Sequence, residues 1–221
     1  MRLVTNEVNE HEAISVMIRA TPSSPIIPQQ PRAIATRARV LEIVETIVAR
    51  DGADHVTTTR VAAEAGTAVG TIYRYFENRN AMLLDAYDAI VLRLVSCCQA
   101  ALDELPASMP IAQAASELLN IYLEASEKLP AHAALLAEMR RIRPFENGHP
   151  RESTELAETV ISPFLQRFAP GTENSAIRLR IIGTILVTMV DLYLVTSDPL
   201  ERATVRTELE AHLQLMLCRL K

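Results

Sequence analysis

Two very short helices around a glycine constrain this chain more than any other feature of its sequence. Three threonines at positions 57–59 can cap a helix that ends at Gly66, because glycine readily adopts the left-handed conformation that follows a last helical turn. A second short helix ends near Phe76, and Asn78 can cap a long helix that begins at Arg79. The spacing therefore predicts helix, tight turn, helix within about twenty residues.

An amphipathic helix that packs against this pair is predicted upstream, between Thr36 and Gly52. It is marked by apolar residues at helical spacing: Val40, Ile43, Val44, Ile47 and Val48. Small residues at Ala62 and Ala65 let the two short helices approach closely, and Val61, Ile72 and Phe76 are expected to fill the shared core. Residues 36–84, called the headpiece below, are therefore predicted to form a helix-turn-helix unit, in which the second short helix enters the DNA major groove.

The residues of the second short helix that do not fill the core are expected to face outward, toward a phosphate-lined groove. Gly70 has no side chain to keep backbone N–H groups away from a phosphate, while Thr71, Tyr73 and Tyr75 carry hydroxyl donors and Arg79 carries charge. Base edges would be read by Val69 and Arg74. Each tyrosine alone could instead shield the headpiece core.

In order, Thr57-Thr58, Ala65-Gly66 and the run from Gly70 through Phe76 to Arg79 resemble the signature of the TetR family of bacterial transcriptional regulators. The resemblance implies all-helical homodimers with a three-helix headpiece and a larger domain that binds a small molecule. It also implies DNA contacts at Thr58, Thr59, Val69, Gly70, Thr71, Tyr73, Tyr75 and Arg79. The chain departs from the pattern at Ala68, where the family usually has a capping serine, and at Val69, where many members carry a polar reader.

The charge distribution adds little general attraction to DNA. The chain carries a net charge of −5, whereas residues 32–79 contain seven arginines against six acidic residues. A strongly basic footprint is absent, so DNA binding must depend on individually placed contacts.

The rest of the chain is predicted to be helical, with the fold class all-α. Prolines separate amphipathic segments, and helices are expected near 79–104, 111–128, 131–143, 152–168, 175–196 and 200–220, with a kink or break at Pro163. Four prolines in residues 21–31 indicate a linker. The predicted division is a partly disordered leader and linker at 1–31, a DNA-binding domain at 32–84, and a ligand-binding and dimerisation domain at 85–221.

Candidate ligand contacts in the larger domain are aromatic, sulfur-containing or polar residues in apolar helices, as in most ligand pockets. They are Tyr122, His132, Met139, Phe164, Phe168, Thr188, Met189 and Tyr193. Plain core packing is the competing interpretation for most of them. Asp191 lies in a very apolar helix and must be paired, protonated or facing a partner, so a pocket, a dimer contact and an exposed face all stay open.

The last helix carries an apolar stripe that predicts an interface between two copies of the chain. The stripe consists of Val205, Leu209, Leu213, Met216, Leu217 and Leu220. Together with helix 175–196 it would form a four-helix dimer contact about a twofold axis.

Other functional classes have no support in the sequence. The chain contains three cysteines, and the adjacent Cys97 and Cys98 have neither metal-site nor disulfide spacing, so packing is expected of them and redox sensing is the minor alternative. The apolar segment 181–195 is too short to span a membrane, and no secretory signal or enzyme motif is present. No catalytic residue, metal or cofactor is predicted.

The sequence therefore predicts a cytoplasmic, ligand-responsive regulator. We expect a repressor that binds double-stranded DNA as a homodimer at a near-palindromic operator and is released by a small molecule. An adaptor that binds mainly another protein and an enzyme that turns over its ligand are the competing hypotheses.

Overall fold

A computed structural model describes residues 31–143, 156–172 and 175–219, and within these ranges all regular structure is helical. The predicted all-α class is confirmed. The predicted leader at 1–31, except Pro31 itself, and the predicted start of a helix at 152 lie outside the described residues.

The headpiece contains three helices and one short 3₁₀ turn. They are α1 (Pro31–Asp51), the 3₁₀ turn (Ala53–His55), α2 (Thr58–Ala65) and α3 (Val69–Tyr75).

The larger part of the chain contains six further α-helices in its described ranges. They are α4 (Arg79–Glu104), α5 (Ile111–Glu127), α6 (His132–Ile142), α7 (Ser162–Phe168), α8 (Ala176–Val195) and α9 (Pro199–Cys218). Where the structure describes them, these bounds agree with the predicted helices to within two residues, except at α7.

Helix α1 begins five residues before the predicted start at Thr36. Proline is well suited to the first helical position, because its missing N–H would have no partner there, and Pro31 occupies that position. Thr36 is instead an interior residue whose hydroxyl donates to the carbonyl oxygen of Arg32 at 2.8 Å. A threonine that resembles a cap in the sequence thus satisfies its hydroxyl within the helix.

The helix does not break at Pro163, because helical structure continues from residue 156 to residue 168. A π-helical turn at Ala157–Ile161 precedes α7, and Pro163 lies in the first turn of α7, where its missing N–H costs no hydrogen bond.

Helix α4 is the central element because it packs against α1 of the headpiece and also against α5 and α6. Its buried residues follow one another at helical spacing from Met82 to Leu102. The hydrophobic cluster around them continues without interruption from the headpiece into the larger part of the chain.

The apolar stripe of the last helix packs mainly within its own chain instead of forming an outer face, and a dimer contact through the last two helices stays a prediction. Leu209 and Leu213 are fully or almost fully buried within one chain, and Val205, Met216 and Leu217 pack against the same core. Leu220 lies outside the described residues. The exposed large apolar residues of the last two helices belong mainly to α8 instead.

His132 is buried at the start of α6, and its Nδ1 lies 2.6 Å from the hydroxyl oxygen of Ser126. Burial, assisted by the charge of Arg93, lowers the pKa of His132 from 6.5 to about 4. The folded protein thus holds this imidazole neutral.

We predict a loss of stability as pH falls from about 6.5 to about 4. In this window the unfolded chain protonates His132 and the folded chain does not, so the free energy of unfolding decreases by about 3 kcal/mol in total. His132→Gln removes this part of the pH dependence, and substitution of the exposed His55 by Gln leaves it in place. Urea titrations at matched protein concentration measure the effect, and identical pH profiles for wild type and His132→Gln would contradict it.

Candidate nucleic-acid interface and buried cavity

The turn between α2 and α3 is built from local capping contacts. The hydroxyl oxygen of Thr57 accepts a hydrogen bond from the backbone N–H of Arg60 at 3.2 Å, which begins α2. Gly66 ends that helix with φ 64° and ψ 36°, a left-handed conformation that is costly for residues with a Cβ. These contacts set where α3 begins.

The start of α3 is open on its outer side. Ala68 precedes the helix and provides no side-chain cap. At Gly70, an added Cβ would meet no neighbouring atom within 4 Å. The missing serine cap therefore leaves the first turn of α3 accessible to a partner.

One surface joins the start of α2 to the outer side of α3. Tyr73 is 55% exposed, and its hydroxyl oxygen lies 3.4 Å from that of Thr58. Arg74 is also exposed, and its guanidinium lies 5.9 Å from the centre of the Tyr75 ring. We call this surface the α3 face; its exposed or half-exposed members are Thr58, Thr59, Val69, Gly70, Thr71, Tyr73 and Arg74.

Most headpiece arginines are occupied within the protein. Arg50 and Arg60 both pair with Asp51 and Glu64, which connects the end of α1 to α2. The hydrogen bond from Arg50, assisted by one from Arg60, lowers the pKa of the Asp51 carboxyl. These contacts neutralise most of the positive charge that a DNA surface would use.

Arg79, the first residue of α4, connects three parts of the chain. Its guanidinium donates to the backbone carbonyl oxygens of Ala53 at 2.7 Å and Val56 at 2.9 Å. Its Nη1 lies 3.8 Å from a carboxylate oxygen of Glu138 on α6. The side chain is 28% exposed, so Arg79 holds the headpiece, α4 and α6 together.

A cavity of about 140 Å³ lies between α4, α5, α8, α9 and the segment 156–165. Its wall is mostly aliphatic, with Phe164 as its one phenylalanine among the described residues. The polar residues in the described wall are Tyr87, Cys98, Tyr122 and Asp191.

Asp191 brings a carboxylate to this apolar wall. Its side chain is only 8% exposed and pairs with the guanidinium of Arg140 on α6. Burial raises the pKa of the Asp191 carboxyl, and the hydrogen bond from Arg140 opposes that change. Asp191 was predicted to lie in a pocket, at a dimer contact or on an exposed face, and the structure places it in the wall of the cavity.

Residues 46–86 match the family model described as "Bacterial regulatory proteins, tetR family". This range contains the last six residues of α1, all of α2 and α3, and the start of α4, and so includes the α3 face. Over these residues the headpiece is similar to the TetR family. Regulators of this family bind DNA and are in general not enzymes.

Solved structures of TetR regulators share the fold. A TetR-family transcriptional regulator from Streptomyces coelicolor superposes with a TM-score of 0.58 at 21% identity, over 84% of this chain and 99% of that one. The TetR family repressor AlkX from Dietzia sp. superposes with a TM-score of 0.61 at 15% identity, over 87% and 98%.

A curated relative is similar in sequence over a shorter length. The nucleoid occlusion factor SlmA of Shewanella woodyi is 29% identical over 113 residues. The match covers 50% of this chain and 57% of that protein.

The TetR-type headpiece places most predicted DNA residues together, with two differences in orientation. Tyr75 is buried and packs edge-on against Phe76, because positions 72, 75 and 76 share the inner side of so short a helix. The predicted outward orientation of Tyr75 is therefore wrong. Arg79 is directed toward the carbonyl oxygens of the 3₁₀ turn region rather than into solvent. DNA contact by any of the nine residues stays a prediction.

Only two of the predicted ligand residues, Tyr122 and Phe164, line the cavity. His132 and Met139 are buried outside it, and the hydroxyl of Tyr193 donates to Glu127 at 2.7 Å. The other three are Phe168, whose ring is tilted against that of Phe164, the half-buried Met189, and Thr188, which is exposed.

The wall residues that were not anticipated are mainly aliphatic. Val91, Val95 and Cys98 recur on one side of α4, a spacing that is visible in the sequence but equally typical of core packing. Burial raises the pKa of the Cys98 thiol to about 12, so it lies in the wall as a neutral thiol.

Neither membrane nor metal features occur in the described ranges. No helix there is long and apolar enough to cross a bilayer, and no group of three or more His, Cys, Asp or Glu side chains is placed to hold a metal ion.

We predict that Arg79→Met lowers the free energy of unfolding by about 2–3 kcal/mol, because two partly buried carbonyl groups lose a charged donor. Arg74→Met is the matched control and should change stability by less than about 1 kcal/mol, since Arg74 is exposed. Chemical denaturation compares the two variants. Equal effects would show that the guanidinium of Arg79 is free in solution.

Proposed function

We propose that this protein is a cytoplasmic, ligand-responsive transcriptional repressor that binds a near-palindromic operator as a dimer. The observation that carries the proposal is that α4 begins at the TetR-type headpiece and also forms a wall of an apolar cavity. We assign DNA binding to residues 32–84, and ligand binding and dimerisation to 85–221.

The α3 face is the proposed DNA-binding surface. With α3 in the major groove, the hydroxyls of Thr58, Thr71 and Tyr73 would donate to phosphates, and Gly70 would allow close approach of the backbone. Val69 and Arg74 would contact base edges. Because phosphate contacts are not sequence-specific, operator choice would depend strongly on the spacing of the two headpieces.

Helix α8 is the proposed centre of the dimer contact. It exposes large aliphatic side chains at helical spacing along its outer side, where a soluble monomer would leave them in water. They are Ile177, Ile181, Ile185, Leu192 and Val195. A twofold contact through α8 and α9 would place two α3 helices about 34 Å apart, in successive major grooves.

A ligand in the cavity would reach the headpiece through α4. Tyr87, Val91 and Val95 of α4 line the cavity, whereas Arg79 binds headpiece carbonyl groups and Arg93 pairs with Glu45 of α1 at 2.5 Å. Movement of α4 would therefore change the spacing between headpieces. Coupling of this type typically changes DNA affinity by about 5- to 150-fold.

Repression, rather than activation, is supported by AlkX, a repressor that shares the fold. A second candidate is a DNA-bound factor whose main partner is another protein. The weak free charge of the headpiece favours it, as does the similarity to a nucleoid occlusion factor.

We predict that Gly70→Ala weakens operator binding about tenfold or more while the protein stays fully folded. An added methyl group meets no atom of the protein, and alanine favours the helix, so only the approach to DNA is affected. Fluorescence anisotropy with an operator selected from random duplexes measures the affinity, and the salt dependence reports the phosphate contacts.

The matched control for Gly70→Ala is Glu117→Ala, an exposed change on α5, which belongs neither to the α3 face nor to the proposed dimer contact. It should leave DNA affinity unchanged. Unchanged affinity of Gly70→Ala would contradict the α3 face as the DNA-binding surface. If the affinity for DNA depended little on salt and did not change with ligand, the protein-adaptor candidate would be favoured instead.

We predict that Ile181→Asp dissociates the dimer and weakens DNA binding, because it places a charge at the centre of the proposed contact. Leu92→Asp is the matched control: both side chains are about half exposed, at 53% and 51%, but Leu92 lies on α4. Sedimentation velocity measures the oligomeric state. A dimer that survives Ile181→Asp would contradict the α8 contact.

A further inference from the structure

The cavity wall contains one formal charge among its described residues, and that charge is negative. Asp191 of α8 lies among aliphatic side chains from five parts of the fold. An apolar side chain at this position would complete the wall without the cost of removing a carboxylate from water. Buried ion pairs contribute little net stability compared with apolar residues of similar volume, so packing alone does not account for Asp191.

The ion pair that satisfies Asp191 is asymmetric. The Asp191 side chain is 8% exposed, whereas that of Arg140 is 45% exposed and reaches the carboxylate from α6. If the pair opens, the guanidinium of Arg140 can be hydrated, but the carboxylate remains buried and needs another cation or a proton. A second cation can therefore replace Arg140 at small cost.

The chemistry of the wall discriminates between three kinds of ligand. An anion would be placed beside the carboxylate of Asp191 and repelled by it. A neutral apolar molecule would fill the cavity but would make no use of Asp191. A molecule with an apolar body and a cationic end would fill the aliphatic space and also pair with the carboxylate.

We propose that the effector is a hydrophobic cation whose charged group replaces Arg140 at Asp191. This inference rests on the proposed ligand-responsive function and names the class of ligand. The cavity of about 140 Å³ is close in size to an engineered apolar cavity of about 150 Å³ that binds benzene, so an apolar body of about six carbons fits without rearrangement.

The exchange at Asp191 has a direct consequence for α6. Arg140 is the contact that joins the last turn of α6 to the carboxylate of α8. The same turn carries Glu138, whose carboxylate lies 3.8 Å from Arg79 at the headpiece. A cation in the cavity would release α6 from α8 and thereby loosen the ion pair that α6 makes with Arg79.

The test uses three probes with the same chain length: n-hexylammonium, 1-hexanol and hexanoate. Isothermal titration calorimetry on the full-length protein at neutral pH measures their dissociation constants. We expect n-hexylammonium to bind about tenfold or more tightly than 1-hexanol, and hexanoate to bind most weakly, because a charge-assisted hydrogen bond is stronger than a neutral one. Equal binding of the ammonium and the alcohol, or no binding of the ammonium, would overturn the proposal.

Two variants separate the carboxylate from its partner. Asp191→Asn keeps the side-chain volume and an oxygen for Arg140, and should abolish the preference for the cation. Arg140→Gln removes the competing guanidinium and should tighten binding of n-hexylammonium but not of 1-hexanol. If the Asp191–Arg140 pair had only a structural role, both substitutions would weaken the binding of all three probes equally. A preference for n-hexylammonium that persists in Asp191→Asn would overturn the assignment of Asp191 as the cation site.

The outcome for the cation site can be distinguished from that of the proposed function by adding each probe to the protein–operator complex. Cation-selective binding without any change in DNA affinity would support the site and contradict ligand-responsive repression. Release of DNA by 1-hexanol as effectively as by n-hexylammonium would support repression and overturn the cation assignment.

Discussion

The structure depends on one long helix, α4, that is buried at one end in the core of the headpiece and at the other in the core of the larger part of the chain. Helix α4 supplies Met82 and Leu83 to the headpiece side of the core, and Leu94, Val95 and Leu102 to the larger part of the chain. Neither end can move without disturbing packing at the other, because tightly packed interiors do not deform freely. The positions of α2 and α3 are thus mechanically connected to the cavity.

Local signals explain why the order and bounds of the helices could be predicted. Thr57 and Asn78 cap as expected, Gly66 is left-handed, and Pro163 lies in the first turn of α7. Each of these effects depends on residues within four positions, so the sequence contains the necessary information. The start of α1 was predicted wrongly, because a threonine hydroxyl can form a hydrogen bond inside a helix as readily as at its end.

Long-range packing explains what could not be predicted. The contact of Arg79 with Ala53 and the packing of the α9 stripe into the core each depend on elements far apart in sequence. The cavity is the clearest example, because its wall combines five segments and most of its members are ordinary aliphatic residues. Aromatic and polar residues attract attention in a sequence, but here most of them complete the core or a surface contact.

The internal pairing of the headpiece arginines bears on how such a protein would search a chromosome. Non-specific attraction to DNA comes almost entirely from free cationic side chains, and Arg50, Arg60 and Arg79 are occupied by carboxylates or carbonyl groups. A DNA-binding protein of this kind would dissociate quickly from random sequence and spend little time sliding along it. Few copies would then be held at the very large number of unrelated sites, and a small cellular pool could suffice to occupy a single operator.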